Sequence, residues 1–382
     1  MKTTTYENSL FPRRLEGPSL KKQKIAVLKE PIQAIDLEKT KTVAELVESF
    51  QNASIQARNV GLCARVFERM LTDPERPTIL LGLAGPLIAA GLRKVVRDLI
   101  EYGLVDAVVS TGAILYQDYY QANGFHHYKG TPSADDGALR DLLIDRIYDT
   151  YVDEEKFNFL DSKIGRFADS LKPGEYSSRS FLELLSKNIS DPNSILGTAR
   201  KRGIPVFSPA LNDSSIGIGL TEHYHRSRKQ GKEPIVISAI RDNYELTQIV
   251  VKSKRTAAIY VVGGVPKNFM NDSIVMAYIF GRDTGGHKYA IHMTADSPHW
   301  GGLSGSTLSE ATSWGKVHRE ASTAMAFIEP SVSLPLVAAH AIQRKSYARR
   351  SRIQLKWEND QLTRLSYEMR KPGKKQNKLE RV

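Results

Sequence analysis

Apolar residues in this chain gather in short blocks rich in β-branched side chains. Each block is closed by Gly, Ser, Thr or Pro and separated from the next by a longer amphipathic stretch. Seven blocks, at 78–83, 105–111, 204–208, 235–239, 258–262, 289–293 and 325–328, predict buried strands. The spacing at 41–58, 92–100 and 138–150 predicts helices. Strands that are apolar on both faces and alternate with helices imply a parallel sheet covered on both sides. The pattern therefore predicts an α/β fold, a doubly wound, mostly parallel sheet of about seven strands forming one domain over 41–343. Residues 151–196 are more polar, mix acids with bases, and predict a helical insertion at one edge. Residues 1–40 read as a loosely attached arm. Residues 344–382 read as a basic tail, whose end at 370–378 is too polar to bury and is expected to be disordered.

Composition narrows the function classes. The chain has 382 residues, of which 41% are apolar, enough for a sizeable core. No apolar run approaches the ~18 residues that span a bilayer, and the first residues lack the apolar block of a secretory signal. Cys63 is the only cysteine, which excludes an internal disulfide and a Cys-rich zinc site. A cytoplasmic setting is expected. The net charge of +12 is unevenly placed: from Arg344 to Val382 there are 13 Lys/Arg against 4 Asp/Glu, leaving +3 for residues 1–343. The body is nearly balanced, so nucleic acid is not the expected main partner, and the tail is expected to be a solvated extension. His126-His127 and His223-Tyr-His225 lack a metal-protease pattern and cysteine partners, and no metal is expected.

The predicted strand ends carry small or polar residues. In an open parallel sheet, ligands gather at those ends. Gly82-Leu-Ala-Gly85-Pro86 follows the first strand, with Pro86 placed to begin a helix whose amides would receive a pyrophosphate. Ser110-Thr111-Gly112-Ala113 follows the second strand, Asp213 the third, Gly263-Gly264 and then Lys267-Asn268 the fifth, and Asp296-Ser-Pro-His299-Trp300 the sixth. The last strand closes on Glu329-Pro330. Such a rim suits an extended dinucleotide, with Asp213 or Glu329 accepting from ribose hydroxyls. The acids Asp118, Asp213, Asp296, Glu310 and Glu329 also suit a polycationic substrate.

The run from Ser304 to Lys316 places a lysine amine beside an indole (Trp314), a carboxylate (Glu310) and several small residues. A lysine that loses its proton attacks carbonyl or imine carbon, and crowding by apolar groups favours that loss. Lys316 is the candidate nucleophile.

The motif Ser313-Trp314-Gly315-Lys316, the Phe207-to-Asp213 loop, the Val261-Val-Gly-Gly264 turn and the Ser331-to-Val337 stretch together resemble the deoxyhypusine synthase family, over roughly 25–343. The resemblance implies a Rossmann-like domain that assembles as a homotetramer of tight dimers, with NAD and a polyamine at the dimer interface. It implies NAD-dependent transfer of an aminobutyl group from spermidine through an imine on Lys316. It places NAD at Gly85, Pro86, Leu87, Thr111, Gly112, Ala113, Asp213, Gly263, Gly264, Ser304 and Glu329. It places substrate at Trp314, Glu310, Asp118, Asp296, His299, Trp300, Asn268 and Asp272. The chain departs from the eukaryotic pattern at Ile218, where a second aspartate would stand, at Asn268 in place of a histidine, at Asp272 in place of an asparagine, and at Trp300 in place of an aspartate. The Ser110-to-Asp118 and Asp213-to-Gly219 loops are similar to the bacterial deoxyhypusine synthase-like branch. For that branch the implied acceptor is a free diamine such as putrescine, giving homospermidine. A protein lysine of a translation factor is the alternative acceptor, and binding of nucleic acid or a membrane surface by the tail is an alternative of another class.

Overall fold

The computed structural model describes residues 18–369. Six strands form the central sheet: β1 (Thr78–Leu83), β2 (Ala107–Ser110), β3 (Val206–Phe207), β4 (Thr256–Val261), β5 (His287–Met293) and β6 (Val317–Ala326). Their spatial order is β3-β2-β1-β4-β5-β6, and every neighbouring pair is parallel. The order doubles back between β1 and β4, as in a doubly wound sheet.

The two-residue alternation of the strands supplies both cores. Ile79, Leu81 and Leu83 of β1, with Ile259 and Val261 of β4, face one layer of apolar side chains. Leu80, Ala258, Tyr260 and Ala290 face the other. The first layer is covered by α1 (Ile55–Thr72), α2 (Arg93–Glu101), α3 (Gly112–Ala122) and, beyond the insertion and the later helices, α10 (Pro330–Gln343). Between them in sequence lie α4 (Glu154–Asp169), α5 (Ile195–Arg202) and α6 (Ser215–Lys229). The second layer is covered by α7 (Ala239–Lys252), α8 (Gly264–Ile279) and α9 (Leu308–Ser313). A sheet buried on both faces explains why its strands read as unbroken apolar blocks.

Several expectations are corrected. The fourth block, 235–239, does not join the central sheet: Ile235–Ile237 pairs with Gly174–Tyr176 in a separate two-stranded sheet. Only Ile235 of the three is buried and Val236 is half exposed, so the block lacks the two apolar faces that a central strand needs. The 41–58 helix is two helices, Val43–Phe50 and α1, broken at an extended Ser54. The 138–150 helix is replaced by a short helix, Asp136–Asp141, and an antiparallel pair, Ile144–Ile147 with Thr150–Asp153. Leu142 and Leu143 are exposed there, so their helical spacing had no core to face.

The solvated-extension reading of 344–382 also fails for its first two-thirds. Strands Arg352–Glu358 and Gln361–Glu368 form an antiparallel hairpin packed on the body. Ile353 and Leu362 are buried, and the Arg179 guanidinium lies 4.1 Å from the centre of the Trp357 ring. Arg350 is buried with its guanidinium 2.5 Å from Asp106. Apolar residues at alternate positions docked the hairpin while the intervening arginines and lysines gave it the look of a tail. The expected disorder at 370–378, like the first 17 residues of the arm, lies outside the described residues. Of the rest of the arm, Pro18–Val27 is a helix that buries no side chain. Among the described residues no helix is long and apolar enough to cross a membrane.

Candidate active site

The ends of all six central strands open on one edge, and the turns after β1 and β4 flank the crevice where the strand order reverses. Gly85 has φ +79°, and a β-carbon there would stand 3.1 Å from the Val262 side chain across that crevice. Val262 itself has φ +65°, a conformation that a β-branched residue adopts at a cost of about 1–3 kcal/mol. It is held there from two sides. Its amide donates to Met293 at 2.8 Å, and its carbonyl accepts from His292 Nε2 at 2.5 Å. Burial pushes the His292 imidazole down to about 3, so the ring is neutral. Strain of this kind persists where surrounding structure enforces it, and here it shapes the turn that carries Gly263 and Gly264. Sequence reasoning noticed the glycines and passed over the valine.

Two helices begin on this edge without a side-chain cap: α3 after Thr111, and α8 after Gly263. Their first amides are therefore open to an anion. Gly112 and Ala113 form the start of α3, with Ala113 exposed, and Gly264 starts α8.

The turn after β1 differs from expectation. Residues 86–91 form turns and α2 starts only at Arg93, so Pro86 does not begin a helix. Leu87 is buried in the core and its amide donates to the Gly85 carbonyl at 2.9 Å. The amides suited to a phosphate are those of α3 and α8 instead. Glu329 caps α10 by accepting from the Ser331 amide at 2.8 Å and from its hydroxyl, which occupies one carboxylate oxygen. Asp213 stays exposed on the rim.

Asp118 leaves the acid rim altogether. It is fully buried, 2.7 Å from Arg93, and accepts from the Ser194 hydroxyl and the amides of Ile195 and Leu196 at 2.8–3.0 Å. It lies on the inward face of α3, so its carboxylate ties α2 to the start of α5 rather than meeting solvent or ligand.

Lys316 is set by backbone on both sides. Gly315 turns the chain with φ +69°, the Lys316 amide donates to Ala311, and its carbonyl accepts from His287 of β5, both at 3.0 Å. The ammonium lies 3.1 Å from Asp272 Oδ1, 3.4 Å from Asn268 Oδ1 and 5.3 Å from the centre of the Trp314 ring. Asn268 in turn donates to Asp272 Oδ2 at 3.0 Å. The expected apolar crowding is therefore only half present: one side of the amine is indole, the other a carboxylate and an amide. The cleft around it is open to solvent and walled by Glu310, Trp314, Leu303 and Ser306. Trp300 and Trp314 are exposed, as are Asp296 and His299 on the adjoining loop.

Lys267, named in sequence only as one of the rim residues, has a structural part instead: it is buried, and its amine donates to the Ser306 carbonyl at 2.6 Å, the Ser306 hydroxyl at 2.7 Å and the Leu303 carbonyl at 3.1 Å. Burial pushes it down to about 8, with Glu310 acting in the opposite direction. It binds the 298–306 loop to α8 beneath the cleft. Its signal was available, since a lysine in the first turn of a helix opposes the helix dipole and calls for a compensating partner.

Comparison with known proteins agrees with this geometry. Residues 45–341 match the deoxyhypusine synthase family. The deoxyhypusine synthase-like protein of Chlorobaculum parvum is 42% identical over 331 residues, covering 85% of this chain and 93% of that one. The protein of the same description from Coxiella burnetii is 39% identical over 348 residues, covering 89% and 96%. Among solved structures, a protein assigned as a deoxyhypusine synthase from Entamoeba histolytica superposes with a TM-score of 0.54 at 19% identity, covering 82% of this chain and 97% of that one, which is a likeness of fold.

Proposed function

Since the chain belongs to the deoxyhypusine synthase family, whose members transfer aminobutyl groups, we propose that it is an NAD-dependent transferase moving that group from spermidine to a free diamine such as putrescine, giving homospermidine. The observation that carries this reading is the Lys316 amine, packed against Trp314 and reached through a cleft beside the β1/β4 crevice. The 3-2-1-4-5-6 strand order and the two uncapped helix starts fit a Rossmann-like dinucleotide site. There Gly85, Thr111, Gly112, Ala113, Gly263, Gly264 and Ser304 would hold NAD, with Asp213 on the ribose side. When bound, NAD would accept a hydride from the carbon beside the donor's secondary nitrogen and return it to the product.

The chain's own groups do the rest. Trp314 packs along the alkyl chain, while Glu310 and Asp272 face the ammonium groups. Lys316 Nζ bonds to the oxidised carbon as the carbon–nitrogen bond to 1,3-diaminopropane breaks. The acceptor amine then displaces Lys316 from the same carbon. Asp296, His299 and Trp300 line the approach. The exposed indoles of Trp300 and Trp314 suit a homotetramer in which a neighbouring subunit closes the cleft, in a cytoplasmic setting. Arg350 and Arg352 bind Asp106 and the Glu101 carbonyl, so these two cations of the basic segment serve the fold.

Incubation with NAD, spermidine and putrescine tests the reading. Homospermidine and 1,3-diaminopropane should accumulate, and borohydride should trap an aminobutyl adduct on Lys316 that Lys316→Ala abolishes. No new polyamine and no adduct would overturn it. Adduct formation with transfer only to a protein lysine would make the enzyme a deoxyhypusine synthase.

A further inference from the structure

Asn268 and Asp272 are one helical turn apart on α8 and so share a face. Asn268 fixes one oxygen of Asp272, and the other meets the Lys316 ammonium. The two partners differ in access: the Asp272 side chain is 42% exposed, whereas that of Lys316 is 14% exposed. The carboxylate is thus the more accessible partner of the pair, and it borders the cleft through its contacts with Lys316 and Asn268, both of which line it. Of the other charged groups nearby, Glu310 of α9 lines the cleft, and Lys267 of α8 is turned to the backbone of Leu303 and Ser306. An amine that attacks carbon needs a free lone pair, and pairing with a carboxylate favours the protonated form that lacks one.

We propose that Asp272 is an exchange partner. It pairs with Lys316 when the cleft is empty and with a terminal ammonium of the polyamine when the cleft is filled, so that substrate binding releases the nucleophile. Charge is conserved: one ammonium enters, and one proton leaves Nζ for water. Asn268 keeps the carboxylate in place during the swap, as a positioning residue. An amine with a single nitrogen would pair with Asp272 and leave no second carbon–nitrogen bond for Lys316 to act on, so only di- and polyamines would use the exchange productively. The inference rests on the reading of this cleft as a polyamine site.

The test needs no turnover. Without NAD, the full-length protein is treated at pH 8 with a limiting acylating reagent, and labelling of Lys316 is followed by peptide mass spectrometry, with exposed Lys172 as internal reference. Asp272→Asn, which keeps the bond to Asn268, should label about fivefold faster than wild type, a modest factor for a partly solvated pair. The fully N-methylated tertiary diamine of four carbons, which the reagent does not consume, should speed wild-type labelling toward the variant's rate and leave the variant unchanged. Equal rates for wild type and variant would overturn the proposal. So would acceleration by the substitution but not by the diamine. Because no transfer is measured, a failed transfer assay and a failed exchange are told apart.

Discussion

Gly263 and Ser304 meet backbone to backbone: a β-carbon on Gly263 would stand 2.5 Å from Ser304 Cα and 3.0 Å from its hydroxyl oxygen. That approach joins the turn after β4 to the loop carrying Trp300, and so joins the crevice to the lysine cleft. Both residues were singled out in sequence as neighbours of one cofactor. The structure brings them into contact although 41 positions separate them.

Gly263→Ala should therefore separate the two halves of the site. Overpacking of this kind costs about 1–3 kcal/mol, and the mobile partner is the loop rather than the sheet. Calorimetry should show NAD binding weakened about tenfold or more, with a thermal midpoint within a few degrees of wild type. Unchanged NAD affinity would mean that the cofactor does not lie against this turn.

Asp118 is predicted to matter for folding and not for substrate. Asp118→Ala leaves the Arg93 guanidinium Asp191 as its one carboxylate, beside the residue-118 carbonyl, and removes the acceptor of two amides at the start of α5. Loss of one partner from a buried pair costs about 3–5 kcal/mol. Urea denaturation should show that loss, while the folded fraction keeps its polyamine KM. A raised KM at unchanged stability would return Asp118 to the site.

Arg350 tests the docked C-terminal hairpin in the same way. Burial pulls the Asp106 carboxyl up, yet the Arg350 and Arg76 guanidiniums hold it below the usual carboxylate range. Arg350→Met leaves Arg76 as its sole guanidinium and should cost about 2–3 kcal/mol by urea denaturation. A substitution in a solvated tail would cost nothing measurable.

Much of the fold was legible because buried parallel strands announce themselves twice, by β-branched blocks and by the small residues that close them. Six of seven blocks took their places; the 235–237 block failed because periodicity does not report which sheet a strand joins. Lys316 was singled out from its local motif. Its partners Asn268 and Asp272 were named as substrate residues, but nothing in sequence showed that they bind the lysine itself across 44 and more positions. Asp118 was misread because an acid after a strand end looks the same whether it turns to the rim or into the layer of helices. The hairpin was hidden by net charge, which sums over a segment, whereas docking depends on the alternate positions of Ile353, Leu355 and Trp357. Lys267 was placed on the rim and its burial missed, because a buried lysine is recognised by its acceptors, and these came from a loop 36 to 39 residues away.

Asp242 supplies a prediction in pH. It is fully buried on α7, accepts from the amides of Ser178 at 2.8 Å and Arg179 at 3.4 Å, and has one oxygen without a partner among the described residues. Burial, reinforced by the Glu245 charge one turn on, raises it from 3.8 to about 7. The folded protein thus holds a proton between about pH 4 and pH 7 that the unfolded chain has released. Its contribution to stability is complete below about pH 4 and is lost as pH rises through 7. Asp242→Asn keeps the acceptor for both amides and removes the ionisation. The variant should melt a few degrees above wild type at pH 8, with the gap narrowing at pH 5. A variant less stable than wild type at pH 8 would show that the carboxylate is charged and compensated there.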